Sequence, residues 1–179
     1  FGEREPMGTA GGVRACADFL NGDDFIVISG DAICDFDLTE AFRFHKEKNA
    51  DVTIILNRQD NPLEYGLVYT DNDGRILRFA EKPSWNEVFT NVVNTGIYII
   101  SPSVLDQIPE NQPYDFSRDL FPALLKNGGR LYGCELRGYW CDIGDTNAYL
   151  RCSLDALNGI VNLPRSEEFM HEAANGIYT

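Results

Sequence analysis

Apolar and polar residues repeat with two different periods along the chain. In MGTAGGVRACADFL, residues 7–20, Val13, Ala17 and Leu20 recur at helical spacing, with Thr9 as a candidate N-cap. The period then shortens, and Phe25 to Ser29 is a compact apolar run of the kind that forms a buried strand. Asp37-Leu38-Thr39-Glu40 sets a cap acceptor three positions ahead of a Glu, which predicts a helix running to about Lys48. DVTIIL, 51–56, predicts a second buried strand. YGLVYTDNDGRILRF, 65–79, predicts a hairpin, because DNDG is turn chemistry between two β-rich runs.

The pattern continues with a strand over GIYII, 96–100, and a short helix from Ser101 or Ser103. A helical segment falls within 115–126, where Pro122 must break or restart it. LYGCEL, 131–136, and YWCDI, 139–143, are strand candidates. DTNAYLRCSLDALNG, 145–159, has Asp145 or Thr146 at its start and Gly159 past its end, a well-punctuated helix. Residues 160–179 carry no strong period and form an exit segment. Strands alternating with helices predict an α/β sandwich on a largely parallel sheet, with the hairpin as an antiparallel element.

In such sheets ligands sit at the carboxyl ends of strands, which directs attention to FIVISGDAICDFD, 25–37. Asp31 follows a buried strand and a glycine that permits close approach, a setting suited to a hard cation such as Mg²⁺. A plain Asp-Gly turn explains the same residues, so this segment alone leaves both open. Asp35-Phe36-Asp37 matches the DxD of many glycosyltransferases, and with Leu38-Thr39 resembles the DxDxT of aspartyl-phosphate phosphatases. The phosphatase motif hangs directly on a strand, whereas here the apolar run ends at Asp31, and Ala32-Ile33-Cys34 is too short to be read as another. Asp37 also has a role as a helix cap. Asp31 is therefore the favoured ligand.

GYWCDIGD, 138–145, repeats that logic, with Asp142 at a strand end and Gly144 opening a helix that Asp145 would cap. A bound Mg²⁺ takes one or two protein carboxylates and fills its remaining positions with phosphate oxygens and water. AEKPSW, 80–85, offers Lys82 in a segment stiffened by Pro83, a compact charge for a phosphate, with Glu81 beside it as an acceptor for sugar hydroxyls. MGTAGG gathers three glycines at a helix N-terminus, where backbone N–H groups can meet a nucleotide. A solvated Glu-Lys pair and a tight turn remain the alternatives for these two segments.

Composition narrows the choice. At 179 residues and 44% hydrophobic, the chain suffices for one ordinary globular core. A net charge of −13 and a pI near 4.4 disfavour a general polyanion binder, so nucleic acid is not an expected partner. No apolar run is long enough to span a bilayer. Five cysteines without a CxxC pair predict reduced thiols in a cytoplasmic protein. His45 and His171 are the only histidines, which leaves little for imidazole catalysis.

Taken in order, EPMGTAGG, ISGDAICDFDL, YGLV, FAEKP, VNTGIY, DLFP and GYWCDIGD resemble the sugar-phosphate nucleotidyltransferases, the NDP-sugar pyrophosphorylases, over about residues 5–157. The resemblance implies a Rossmann-like three-layer domain that joins a sugar 1-phosphate to an NTP with Mg²⁺ and releases pyrophosphate. By the same resemblance Asp31 and Asp142 hold the metal and Lys82 contacts the sugar phosphate. Glu81, Gly66 and Asn94 then line the sugar pocket, while Gly8, Thr9 and Ala10 lie against the base and ribose. SGDAICDFDL, PYDFSRDLFP and GYWCDIG look most like bacterial mannose-1-phosphate guanylyltransferases, which implies GTP and mannose 1-phosphate. A homo-oligomer is compatible with these features. The competing readings are a non-catalytic regulatory or scaffold module of the same fold and a DxD glycosyltransferase.

The family opens with a strand leading into a Gly-rich G-G-x-G-T-R loop, to which nothing here corresponds, the chain starting at Phe1 just ahead of GTAGG. The expectation is a partial nucleotidyltransferase domain over 1–159, with little or no transferase activity by itself. Its exposed sheet edge would be covered by another chain or by an unusual pairing. NGIVNL resembles the point where many relatives pass into a C-terminal left-handed β-helix, so 160–179 is read as leading towards a further domain.

Overall fold

The structure is a computed structural model that describes residues 5–20, 22–81, 84, 88, 90–163, 172–174 and 177–178. In chain order its main elements are α1 (Gly8–Ala15), β1 (Phe25–Ile28), β2 (Ala32–Cys34), α2 (Leu38–Glu47), β3 (Val52–Arg58), β4 (Gly66–Thr70), β5 (Ile76–Glu81) and β6 (Val92–Ile100). There follow α3 (Phe121–Lys126), β7 (Leu131–Glu135), β8 (Trp140–Asp142), α4 (Thr146–Leu157), β9 (Glu172–Ala174) and β10 (Ile177–Tyr178). Contacts divide the chain into two units, one of Phe1–Ile28 with Leu38–Leu136 and one of Ser29–Asp37 with Arg137–Thr179. Among the described residues no helix is long and apolar enough to cross a membrane.

The first unit is built on a six-stranded sheet in the order β5-β4-β6-β3-β7, with β1 also paired to β6. β6 organises it. Along one edge β6 meets β3 antiparallel; along the other it meets β1, from Phe25↔Ile100 to Ile28↔Ile97, and then β4 at Leu67↔Val93. β3 and β7 run parallel, the one parallel pair among the described strands. The α/β class and the hairpin follow the expectation, but the sheet is mostly antiparallel, not largely parallel. The cause of the misreading is physical: β3 and β6 are buried nearly end to end, and a strand covered on both faces reads as continuous apolar sequence whichever way its neighbour runs.

The core on this sheet is aromatic. Tyr98 of β6 meets Phe116 and Phe121 at ring-centroid distances of 5.2 and 5.0 Å, and Phe79 of β5 stacks on Phe121. Pro122 restarts the chain as expected: Phe116–Leu120 winds with a wider π-helical pitch, and α3 begins at Phe121 with the proline in its first turn. Asp115 caps this segment by accepting from the Ser117 and Arg118 amides. Thr9 is not the N-cap of α1. Met7 holds that position without a side-chain bond, and the Thr9 hydroxyl instead donates to Asp115 Oδ2 at 2.8 Å and accepts from the Phe116 amide at 3.1 Å. Its longer-range partners outcompete the local cap.

His45, buried on α2, pins that helix to the sheet. Nδ1 lies 2.8 Å from the Thr53 hydroxyl, and Nε2 lies 3.3 Å from Ser101 Oγ and 3.4 Å from Asp24 Oδ2. Since Ser101 Oγ donates to the Ala50 carbonyl, Nε2 carries the proton and Nδ1 accepts from Thr53. Burial lowers the His45 pKa, and the positive charges of Lys46 and Arg130 add to this, while Asp24 and Asp51 work against it. The folded state therefore binds fewer protons than the unfolded chain below the ordinary histidine value of 6.5. Stability attributable to His45 is present above pH 6.5 and lost as pH falls from there towards the lowered folded value. Melting curves from pH 7.5 to 5 are expected to show this loss, and His45→Gln should flatten that part of the profile.

Candidate active site

The second unit contains the segment that the sequence dismissed. Ala32-Ile33-Cys34 is a strand after all, paired antiparallel with β8 in the register Ala32↔Asp142, Ile33↔Cys141 and Cys34↔Trp140. Three residues make a strand here because a partner more than a hundred positions away supplies the hydrogen bonds, a signal no local window carries. The pairing has a chemical consequence. Asp31 immediately precedes Ala32, the partner of Asp142, and the Asp31 carbonyl accepts from the Ile143 amide at 2.8 Å. The ribbon thus brings Asp31 and Asp142 to the same end.

Asp142 is half-buried, and its pKa is raised, first by burial and then by the charge of Asp31. Among the described residues neither carboxylate forms an ion pair. A cation would offset both effects. A Cβ at Gly144 would stand 3.7 Å from Asp142 Oδ2, in ordinary contact with the carboxylate. No group of three or more His, Cys, Asp or Glu suited to a metal occurs among the described residues. Two hard oxygen donors with unbalanced charge nonetheless fit Mg²⁺, which keeps most of its shell for water and phosphate.

A raised pKa means that, in metal-free protein, Asp142 favours folding at low pH and loses that contribution as pH rises through its folded value. Asp142→Asn is therefore expected to raise the melting temperature of metal-free protein at pH 7 while weakening metal binding. Calorimetry with and without Mg²⁺ tests the pair of effects.

Asp35 has a different job from the DxD reading. Its Oδ1 accepts from the Tyr139 amide at 2.6 Å and its Oδ2 from the Asn162 amide at 2.9 Å, so both oxygens serve the backbone. Behind Asp142, Tyr139 donates its hydroxyl to Asp155 of α4 at 2.8 Å, and Asp145 caps α4 by accepting from the Ala148 amide.

The other expected site residues lie in the first unit. Gly8, Thr9 and Ala10 form the first turn of α1. The Tyr114 carbonyl takes the amides of Ala10 and Gly11, both at 3.0 Å, so any contact from these backbone groups to a nucleotide falls to Gly8 and Thr9. Gly8 and Thr9 line an open groove of about 480 Å³ whose wall includes Val13, Leu20, Phe25 and Val27. Gly66 on β4 faces Glu81 on β5, and Asn94 on β6 follows Val93, the partner of Leu67. Strand register therefore sets Glu81, Gly66 and Asn94 in one row. The Asn94 amide is engaged within its own strand, donating to the Tyr98 hydroxyl at 3.2 Å and accepting from the Gly96 amide at 3.0 Å. Lys82 lies outside the described residues. The sequence offers Asp35 only as half of a DxD, and its bonds to the Tyr139 and Asn162 amides carry no residue signature by which they could be read.

Known proteins resemble this chain in sequence and in fold. The family model described as "Nucleotidyl transferase" matches residues 2–159. A UTP–glucose-1-phosphate uridylyltransferase of Synechocystis sp. is 41% identical over 160 residues, 87% of this chain and 40% of that protein. The mannose-1-phosphate guanylyltransferase catalytic subunit beta of Xenopus tropicalis is also 41% identical, over 83% of this chain and 41% of its own length. The mannose-1-phosphate guanylyltransferase of Mycobacterium tuberculosis is 35% identical over 96% of this chain and 49% of its length. Among solved structures, HddC from Yersinia pseudotuberculosis superposes with a TM-score of 0.74 at 26% identity, over 86% of this chain and 64% of that one. The chain thus spans about two fifths to one half of the length of these curated relatives. With the profile covering most of its length and the fold shared with HddC, the chain belongs to the nucleotidyl transferase family.

Proposed function

We propose that the chain carries the metal-holding half of a sugar-1-phosphate nucleotidyltransferase site, joining a sugar 1-phosphate to an NTP and releasing pyrophosphate. Mannose 1-phosphate and GTP are the proposed pair, supported by the guanylyltransferase names of several relatives and by a solved HddC complex with GMP-PN. The observation that carries the proposal is that the β2–β8 ribbon, with Ala32 opposite Asp142 and the Ile143 amide on the Asp31 carbonyl, brings Asp31 and Asp142 to one end. Together they would hold Mg²⁺, which when bound adds positive charge beside the phosphate oxygens.

The remaining chemistry needs little from the protein. The sugar phosphate has a second ionisation near pH 6, about that of a phosphoserine, so its oxygen is already an anionic nucleophile at neutral pH. A new P–O bond forms at the α-phosphorus as the bond to the leaving pyrophosphate breaks, and no general base is required. This suits a chain whose one described histidine is buried and committed to Thr53 and Ser101. Lys82 would neutralise the sugar phosphate, and Glu81, Gly66 and Asn94 would orient the sugar. Gly8, Thr9 and Ala10 would hold the base and ribose, with the groove beside α1 as the apolar wall.

The test is pyrophosphate release by the full gene product from a panel of five NTPs and several sugar 1-phosphates. Highest kcat/KM with GTP and mannose 1-phosphate is expected. A preference for UTP and glucose 1-phosphate would replace the specificity and keep the reaction, whereas no release from any pair would overturn both.

A further inference from the structure

We propose that Asp35 is a positioning residue, which fixes the register of the β2–β8 ribbon and so keeps Asp31 and Asp142 together at its far end. The inference rests on the two-aspartate reading above and extends it to a residue with no metal contact of its own. A two-stranded ribbon is marginal by itself, and this one has only three residue pairs. A slip of one position would break the bond from the Ile143 amide to the Asp31 carbonyl and shift Asp142 along the ribbon relative to Asp31.

Asp35 closes the ribbon at the end opposite the aspartate pair. Beyond Cys34↔Trp140, the Asp35 amide donates to the Tyr139 carbonyl at 3.2 Å, and the Tyr139 amide donates back to Asp35 Oδ1 at 2.6 Å. The second carboxylate oxygen takes the Asn162 amide at 2.9 Å and ties down the chain that leaves α4. Gly138 makes this clamp possible. Its φ is +142°, and a Cβ there would stand 2.6 Å from Asp35 Oδ1, displacing the carboxylate. One side chain thus joins both strands and the exit from the following helix, using groups that a metal ligand would have to spare.

Asp35→Asn and Asp35→Ala in the full chain test this, with Mn²⁺ affinity measured by electron paramagnetic resonance and amide hydrogen exchange read at Ile33, Tyr139 and Cys141. Alanine is expected to weaken Mn²⁺ binding about 10-fold or more, as loss of outer-shell partners does. Asparagine keeps an oxygen for Tyr139 but presents an NH₂ to the Asn162 amide, so a smaller loss is expected. It also serves if the alanine variant fails to fold. Exchange along the ribbon should quicken in both. His45→Gln, which loosens the first unit, should leave Mn²⁺ affinity unchanged and so separates positioning from general destabilisation.

Mn²⁺ affinity within twofold of the parent in both Asp35 variants would overturn the proposal. Should Asp142→Ala bind Mn²⁺ as tightly as the parent, the two-aspartate reading has failed instead. Ribbon exchange then decides alone, with faster exchange supporting the positioning role and unchanged protection overturning it.

Discussion

Asp31→Ala and Asp142→Ala are each expected to lower pyrophosphate release by the full gene product on the order of 10³-fold or more. The size follows from the division of labour at the site. With a preformed anionic nucleophile and no general base, rate enhancement comes from alignment and from neutralising charge on the phosphates. On the proposed function Asp31 and Asp142 are the metal's protein ligands, and removing either would remove much of that neutralisation. The loss should appear in kcat at saturating substrate, and raising Mg²⁺ should recover little of it. The double variant should be little worse than either single one, because the two carboxylates act as one unit. Asp35→Asn offers an informative contrast, with activity that recovers at high Mg²⁺ because the ligands remain and only their placement suffers.

Gly8→Ala is the substitution expected to harm the fold most. Gly8 has φ of +72°, a conformation that costs a residue with Cβ about 1–2 kcal/mol. A Cβ would also stand 2.6 Å from the Tyr114 carbonyl oxygen. That oxygen cannot retreat freely, since it accepts from both Ala10 and Gly11 while the Tyr114 amide donates to Met7 O at 2.9 Å. Overpacking adds about 1–3 kcal/mol. The sum, about 2–5 kcal/mol, would lower the melting temperature of the first unit by about 4–20 °C at the 2–4 °C per kcal/mol usual for a chain of this size. Gly128→Ala is the control. Gly128 has φ of +77° but nothing within 4 Å of its would-be Cβ, so it should show the conformational cost alone. Equal losses in the two variants would disprove the steric part of the argument.

The sequence exposed those features that depend on local composition and concealed those that depend on distant partners. Asp31 and Asp142 could be singled out because each sits beyond an apolar run with glycine nearby. Their convergence was implied only by family resemblance, since the ribbon that joins them pairs residues 32–34 with 140–142. Strand order and direction stayed hidden for the same reason. β6 begins at Val92, four residues before the run that announced it, because Asn94 and Thr95 interrupt the apolar pattern. That interruption accompanies a register shift between Ile54 and Leu56 on β3, where Thr95 Oγ donates to the Ile55 carbonyl at 2.8 Å. Thr9 was misassigned because a hydroxyl near a helix start resembles a cap until Asp115 is seen to hold it. Pro122 and Asp145 were legible because their effects are local: one fixes its own φ, the other reaches an amide three residues on.

The most direct measurement follows the carboxyl ¹³C signals of Asp31 and Asp142 in labelled protein as Mn²⁺ is added below one equivalent. A shared ion must relax both nuclei, so the two signals should broaden in parallel and recover together when Mg²⁺ displaces Mn²⁺, and in either alanine variant the one remaining signal should stay sharp. Broadening of one signal while the other stays sharp, or of neither, would contradict the account.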